Sequence, residues 1–148
     1  MLIDACLVDT NVLLRIPRRS DPNHLAVDKA LAKLAIQGTT LHYTHQNIAE
    51  LWNTMTRPQS RNGFGLSVQD VDSEVALIEA GMELLPDSPA VYREWRRIVV
   101  QFAVSGVQVH DARLAASMYT HGITYILTFN GSDFSRFGGL TALHPTAV

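Results

Sequence analysis

The stretch Cys6-Leu7-Val8-Asp9-Thr10-Asn11-Val12-Leu13-Leu14-Arg15 decides how the rest of the chain is read. Three apolar residues without alternation mark a short strand buried on both faces, as strands of parallel sheets are. The run stops at an acid, and Asn11, Val12, Leu13 and Leu14 then start a helical stretch that Pro17 interrupts. A strand that ends at an aspartate and turns into a helix puts that carboxylate at the carboxyl end of the sheet, where α/β folds bind ligands.

Outward from there, strand-like and helix-like segments alternate. Asp21-Pro22 supplies an N-cap and a proline at the first helical position, followed by an apolar stripe of Leu25, Ala26, Ala30, Leu31, Leu34 and Ala35 that Gly38 stops. Residues 41–44 alternate as a second strand, and Ile48, Leu51, Trp52 and Met55 recur at helical spacing until Pro58. Ser67-x-x-Asp70 has the form of a capping box and opens a helix through Val71, Val75 and Ile78 that Gly81 closes, after which Met82, Leu84 and Leu85 form a third strand. Ser88-Pro89 caps a helix carrying Val91, Trp95, Ile98, Val99 and Phe102 on one face, and Asp111 stands where the next helix begins. Residues 123–128 make a fourth strand and residues 140–143 a fifth. This order predicts an α/β fold with parallel pairing, and with neither repeat nor linker in view residues 1–148 are expected to form one domain.

The totals agree. A chain of 148 residues, 47% hydrophobic and 18% charged, can bury a core without crosslinks. The lone Cys6 cannot form an intramolecular disulfide, which fits a reducing compartment. The first residues lack a basic leader, and no apolar run approaches the ~18 residues of a membrane helix, so a soluble, cytoplasmic protein without membrane attachment is expected. A net charge of -2 excludes the strongly basic class of nucleic-acid binders. Yet apart from Lys29 and Lys33 the basic residues are all arginine, whose planar fork suits phosphate. Residues 57–65, rich in chain breakers, read as a mobile loop carrying Arg57 and Arg61.

Four acids occupy places where such a sheet can gather them: Asp9 after the first strand, Glu50 in the helix after the second, Asp111 before the fourth and Asp133 after it. Taken singly, each has a plainer explanation. Asp9 and Asp111 can be helix caps, Asp133 belongs to an Asn130-Gly131-Ser132-Asp133 turn, and Glu50 lies on a polar face with Gln46 and Asn53. Together they repel, by about 4 kcal/mol for two charges ~4 Å apart at an effective dielectric near 20. A divalent cation removes that penalty, and hard oxygen ligands suit magnesium or manganese, which can generate hydroxide for in-line attack on a phosphodiester.

The ordered blocks Val8-Asp9-Thr10-Asn11-Val12-Leu13-Leu14-Arg15, Asn47-Ile48-Ala49-Glu50-Leu51-Trp52, Val109-His110-Asp111-Ala112-Arg113-Leu114-Ala115-Ala116 and Leu127-Thr128-Phe129-Asn130-Gly131-Ser132-Asp133-Phe134 resemble the motifs of PIN-domain nucleases, in particular VapC-type toxins. The resemblance spans nearly the whole chain. It implies a three-layer α/β/α fold with a central parallel sheet of four to five strands. It also implies a metal-dependent endoribonuclease, the toxin of a toxin–antitoxin pair, with magnesium or manganese held by Asp9, Glu50, Asp111 and Asp133 as the catalytic acids. Thr10 and Asn11 would support the first acid, and Asn130 would share or replace the role of Asp133. The implied partners are an RNA substrate, an antitoxin protein and a second copy of the chain, with Arg57 and Arg61 helping to grip RNA. Three alternatives stand beside this reading: a PIN-fold RNA-processing nuclease outside any toxin system, a noncatalytic PIN-fold binding module, and a metal-free ribonuclease using His42, His45 or His110 as acid and base. A phosphatase with an Asp-x-Asp pair after the first strand is disfavoured, because only Asp4 and Asp9 stand there.

Overall fold

The computed structural model describes residues 2–148. Five strands, β1 (Ala5–Val8), β2 (Thr40–Thr44), β3 (Glu83–Leu85), β4 (Tyr125–Leu127) and β5 (Thr141–Leu143), form one sheet in the order β3-β2-β1-β4-β5. Every neighbouring pair is parallel, with Cys6 opposite both Leu41 and Tyr125, and Val8 opposite Leu127. The chain builds outward from β1 in one direction through β2 and β3, then returns to its other side for β4 and β5. The strand order therefore reverses between β1 and β4, and open parallel sheets place their binding crevice beyond the carboxyl ends of the strands at such a point.

Side-chain alternation sorts the core into two clusters. Cys6 and Val8 face one side with Leu41 and Tyr43, where α1 (Thr10–Leu13), α2 (His24–Ile36), α3 (His45–Thr56) and α4 (Val68–Gly81) supply Val12, Leu34, Met55 and Val75. Leu7 and Ile126 face the other, where α5 (Pro89–Gln101) and α6 (Val109–His121) bring Val91, Ile98, Leu114 and Met118, with Phe134 and Phe137 closing the layer. Two helical layers on a parallel sheet make the expected α/β/α sandwich. Cys6, Leu7 and Val8 are wholly inaccessible, so the first strand is buried on both faces as its sequence predicts. Burial also pushes the Cys6 thiol up to about 12, which leaves it an inert core residue.

Two local expectations are corrected. The helix after Pro22 begins at His24, because the Asp21 carboxylate accepts the amide of Asn23 at 2.8 Å and lies 3.4 Å from Arg15 instead of capping the helix. Its buried stripe is Val27, Ala30 and Leu34, and Leu25 is exposed. The breaker-rich residues 57–65 are pinned down. The amides of Phe64, Gly65 and Leu66 donate to the carbonyls of Thr54, Arg57 and Met55, and the Arg18 guanidinium lies 4.4 Å above the Phe64 ring. Gly63 is required there, since a Cβ would come within 2.0 Å of the Arg57 carbonyl oxygen.

Among the described residues no helix is long and apolar enough to cross a membrane.

Candidate active site at the reversal of strand order

Asp9 leaves the end of β1 with extended backbone and caps α1. Its side chain is 8% exposed, and each oxygen is occupied: Oδ1 accepts the Thr10 amide at 2.7 Å, and Oδ2 accepts the Thr128 hydroxyl at 2.8 Å and the Asn11 amide group at 3.3 Å. Thr128 follows β4 directly, so the pairing of Val8 with Leu127 brings this hydroxyl beside Asp9. Asn11 completes the clamp by accepting the Phe129 amide at 3.2 Å and donating to Thr128 at 3.2 Å. Removing the bulk of a carboxylate from water is costly without such donors. Burial nonetheless raises the Asp9 pKa; the Thr128 hydroxyl and Thr10 amide pull it back, and the charges of Glu50 and Asp133 raise it further.

Glu50 is held from the other side of β1. A capping box fixes the start of α3: Thr44 Oγ1 accepts the Asn47 amide at 3.1 Å, and Asn47 Oδ1 accepts both the amide and the hydroxyl of Thr44 at 2.9 Å. Asn47, fully buried, then donates to Thr10 Oγ1 at 3.0 Å, which in turn donates to Glu50 Oε2 at 2.9 Å. The remaining oxygen of Glu50 accepts Gln46 Nε2 at 2.7 Å, and the same nitrogen donates to the His110 carbonyl at 2.9 Å. Both partners are acceptors, which fixes the orientation of the Gln46 amide. Its Oε1, also buried, accepts nothing among the described residues.

The other two acids are held differently. Asp111 lies in the first turn of α6 and Asp133 in a 3₁₀ turn, residues 131–134, after β4. Neither carboxylate receives a hydrogen bond among the described residues, and both are partly exposed. Asp111 is pushed up to about 6, first by burial and then by the charges of Asp133, Asp9 and Glu50, with His110 opposing. Asp9 and Asp111 therefore both feel the charges of Glu50 and Asp133 across the crevice. Among the described residues, however, no three acidic, histidine or cysteine side chains stand as a closed set of metal ligands.

The supporting residues divide. Thr10 and Asn11 are both built into the clamp, whereas Asn130 is exposed and contributes its backbone amide to Thr128 at 3.0 Å, with no hydrogen bond from its side chain among the described residues. The arginines of residues 57–65 are not drawn to the acids: Arg57 donates to the Asn62 carbonyl of its own loop at 3.0 Å, and Arg61 is exposed. That loop follows the far end of α3, roughly 10 Å along the helix axis from Glu50. Arg15 stands nearer, stacked 4.4 Å from the Phe129 ring and hydrogen-bonded to the Asn11 carbonyl. Of the histidines considered as acid and base, His42 contacts the Glu83 carbonyl at 3.2 Å and His45 lies 3.7 Å from Asp87.

Sequence reasoning missed Thr128 and Asn47 as parts of the site, whereas Gln46 bonds Glu50 on the polar face where the helical wheel put it. Thr44-x-x-Asn47 is a variant capping-box pattern and was available as a signal for the start of α3. Nothing in the linear sequence says that Thr128 sits beside Asp9, because that depends on the pairing of β1 with β4.

A parallel sheet with a buried carboxylate at its reversal point and three further acids in its electrostatic reach defines the class of α/β protein to which this chain conforms. Residues 6–140 match the PIN domain family model, and the chain belongs to that family. No curated protein matches it in sequence. Among solved structures it is similar to Mycobacterium tuberculosis VapC20, described as a Sarcin-Ricin loop cleaving toxin (TM-score 0.69, 15% identity, 89% of this chain and 95% of that one). It is also similar to VapBC2 from Rickettsia felis, bound to a DNA fragment from its promoter (TM-score 0.65, 15% identity, 94% and 97%). A third is FitAcB from Neisseria gonorrhoeae (TM-score 0.60, 21% identity, 97% and 99%). At these identities the likeness establishes the fold.

Proposed function

We propose that the protein is a metal-dependent endoribonuclease, the toxin of a toxin–antitoxin pair, with Asp9, Glu50, Asp111 and Asp133 as its catalytic and metal-binding acids. The observation that carries this reading is the electrostatic cost of the crevice. Two carboxylates there, Asp9 and Asp111, are raised by burial and by the charges of the other acids, with no lysine or arginine among the causes to relieve them. A surface that only bound a partner would have no need to hold repelling charges at this cost.

The donor set fits a hard divalent ion. It is entirely oxygen, and magnesium typically takes one or two carboxylates, keeps several waters and draws the rest of its ligands from substrate phosphate, so a closed three-ligand cage is not required. The buried, unpartnered Oε1 of Gln46 adds an acceptor beside Glu50 for a proton of ordered water. When bound, such an ion supplies Lewis acidity at the phosphate and a nucleophile at neutral pH. The chain's own part is to hold the acids in place: Thr10, Asn11 and Thr128 fix both oxygens of Asp9, and the Thr44–Asn47–Thr10 relay sets Glu50. Placing RNA at the crevice falls to the exposed cations around it, with Arg61 the better candidate of the loop pair because Arg57 is engaged with its own loop.

The similar VapBC structures support an antitoxin as protein partner, and a second copy of the chain is proposed as the other. An apolar groove of about 350 Å³ between α2 and α4, with Leu77 exposed beside Leu31 and Ile78, offers one surface for such an association.

The test is cleavage of total RNA by the purified protein. Activity that EDTA abolishes and magnesium or manganese restores, and that Asp9→Asn and Asp111→Asn remove while the proteins stay folded, is the expected result. Cleavage insensitive to chelation would favour the histidines. Absence of cleavage by a folded, metal-supplied protein would favour the binding module. Growth arrest on expression, relieved by Asp9→Asn, separates a toxin from a processing nuclease.

A further inference from the structure

A second concavity adjoins the acids. About 600 Å³ in volume, it lies between Val91, Tyr92 and Trp95 of α5 and Val109, His110 and Arg113 at the start of α6. That volume falls within the roughly 300–1,000 Å³ of small-molecule sites. His110 and Asp111 are consecutive, so the cavity and the crevice share the first turn of α6 with Cα atoms ~3.8 Å apart. Gln46 ties the two together, its amide nitrogen reaching both the Glu50 carboxylate and the His110 carbonyl.

The walls are chemically particular. Tyr92 is 57% exposed although it is a large aromatic, and its ring lies 6.2 Å from that of Trp95 with the planes at 35°. The Trp95 indole N–H donates to the Val109 carbonyl at 2.9 Å, which fixes the ring against the far wall. On the α6 side, Arg113 is held by Asp87 at 3.0 Å, with its guanidinium at the cavity's edge, and His110 is exposed beside it. Fixed aromatic faces opposite cationic or hydrogen-bonding side chains are the equipment that stacks an unpaired base and stays close to its phosphate. An aliphatic side chain from a protein would use the apolar walls and leave the Arg113 and His110 rim unmatched.

We propose that this cavity is a nucleobase subsite, which stacks one unpaired base of RNA next to the phosphodiester held at the acids, with Tyr92 as its principal stacking residue. The inference rests on the ribonuclease reading above and adds to it a preference for single-stranded, unstacked substrate.

The experiment uses a twelve-nucleotide RNA that the protein cleaves, together with a series carrying one abasic ribose at each successive position. For the wild type, kcat/KM should fall about five- to a hundredfold at one position beside the cut and change little elsewhere. Tyr92→Ala should lower kcat/KM on intact RNA by a similar factor, mainly through KM, and should lose the penalty at that position. Tyr92→Phe should restore it. Because Tyr92 is exposed, an unchanged melting temperature is expected for both variants and separates stacking from folding. A flat abasic profile in a wild type that does cleave RNA would overturn the subsite and leave the ribonuclease reading standing, as would Tyr92→Ala cleaving intact RNA at the parental rate. Penalties that simply add in the doubly altered reaction would likewise overturn it. A wild type that cleaves no RNA in any metal would overturn both.

Discussion

The two halves of the crevice are built on opposite principles. Asp9 and Glu50 are locked, with hydrogen bonds on all four carboxylate oxygens supplied by Thr10, Asn11, Gln46 and Thr128. Among the described residues Asp111 and Asp133 receive no such bonds and are placed by their helical turns. One half resembles a preorganised socket and the other a pair of adjustable arms. On the proposed reading, a site that accepts an ion and a phosphate and then releases products would benefit from both, because rigid groups fix the ion and looser ones adapt to substrate.

The comparison can be broken most severely at its acids. Asp9→Asn should reduce RNA cleavage at least a hundredfold in single-turnover kinetics, a loss of the size seen when a charge-stabilising group is deleted from an active site. Asp111→Asn should cost comparable activity and show a second effect, on stability. A carboxyl whose folded pKa is raised to about 6 makes the folded state the better proton binder. Metal-free protein should therefore lose stability as pH rises from about 4 to about 6, and Asp111→Asn should reduce that dependence, leaving the part due to the raised carboxyl of Asp9. Asp111 is partly exposed, so after discounting for solvent screening the gain at neutral pH is about 1 kcal/mol, or roughly 2–4 °C in melting temperature for a chain of this size. A melting temperature that stays constant over that pH range would contradict the strain argument.

The locking itself is tested by removing hydroxyls and keeping the acids. Thr128→Val and Thr10→Val should each reduce metal affinity or cleavage about ten- to a hundredfold, the usual cost of losing a group that orients a ligand. Isothermal titration with manganese beside cleavage assays would measure it. The smallest effect is expected at Asn130→Ala, because that side chain is exposed and unbonded and the residue's contribution to Thr128 comes from its backbone amide. Stability should change by no more than about 0.5 kcal/mol. A large loss at Asn130 with none at Asp133→Asn would reverse their assignment in the fourth motif.

Much of this was legible before any coordinates, and the reasons are local. The unbroken apolar run into Asp9 announces a doubly buried strand, and Ser67 and Ser88 cap the helices their hydroxyls predict, accepting the amides of Asp70 and Val91. Where local signals compete, the sequence misleads. Asp21 is paired with Arg15 at 3.4 Å and accepts the Asn23 amide instead of capping the helix, and residues 57–65 read as loose because composition does not reveal the backbone bonds to Thr54 and Met55 that pin them. The acids themselves were legible as ordered motifs. Their unequal support was not, since Thr128 and Asn47 act across strand pairings separated by more than thirty residues in sequence.

The central claim is that four separated carboxylates together form a site for divalent metal. Manganese binding followed by titration calorimetry on the folded wild type and on Asp9→Asn, Glu50→Gln, Asp111→Asn and Asp133→Asn tests it directly. The account predicts saturable binding by the wild type, sharply weakened in Asp9→Asn and measurably weakened in the other three. Equal manganese affinity in all five proteins would contradict it.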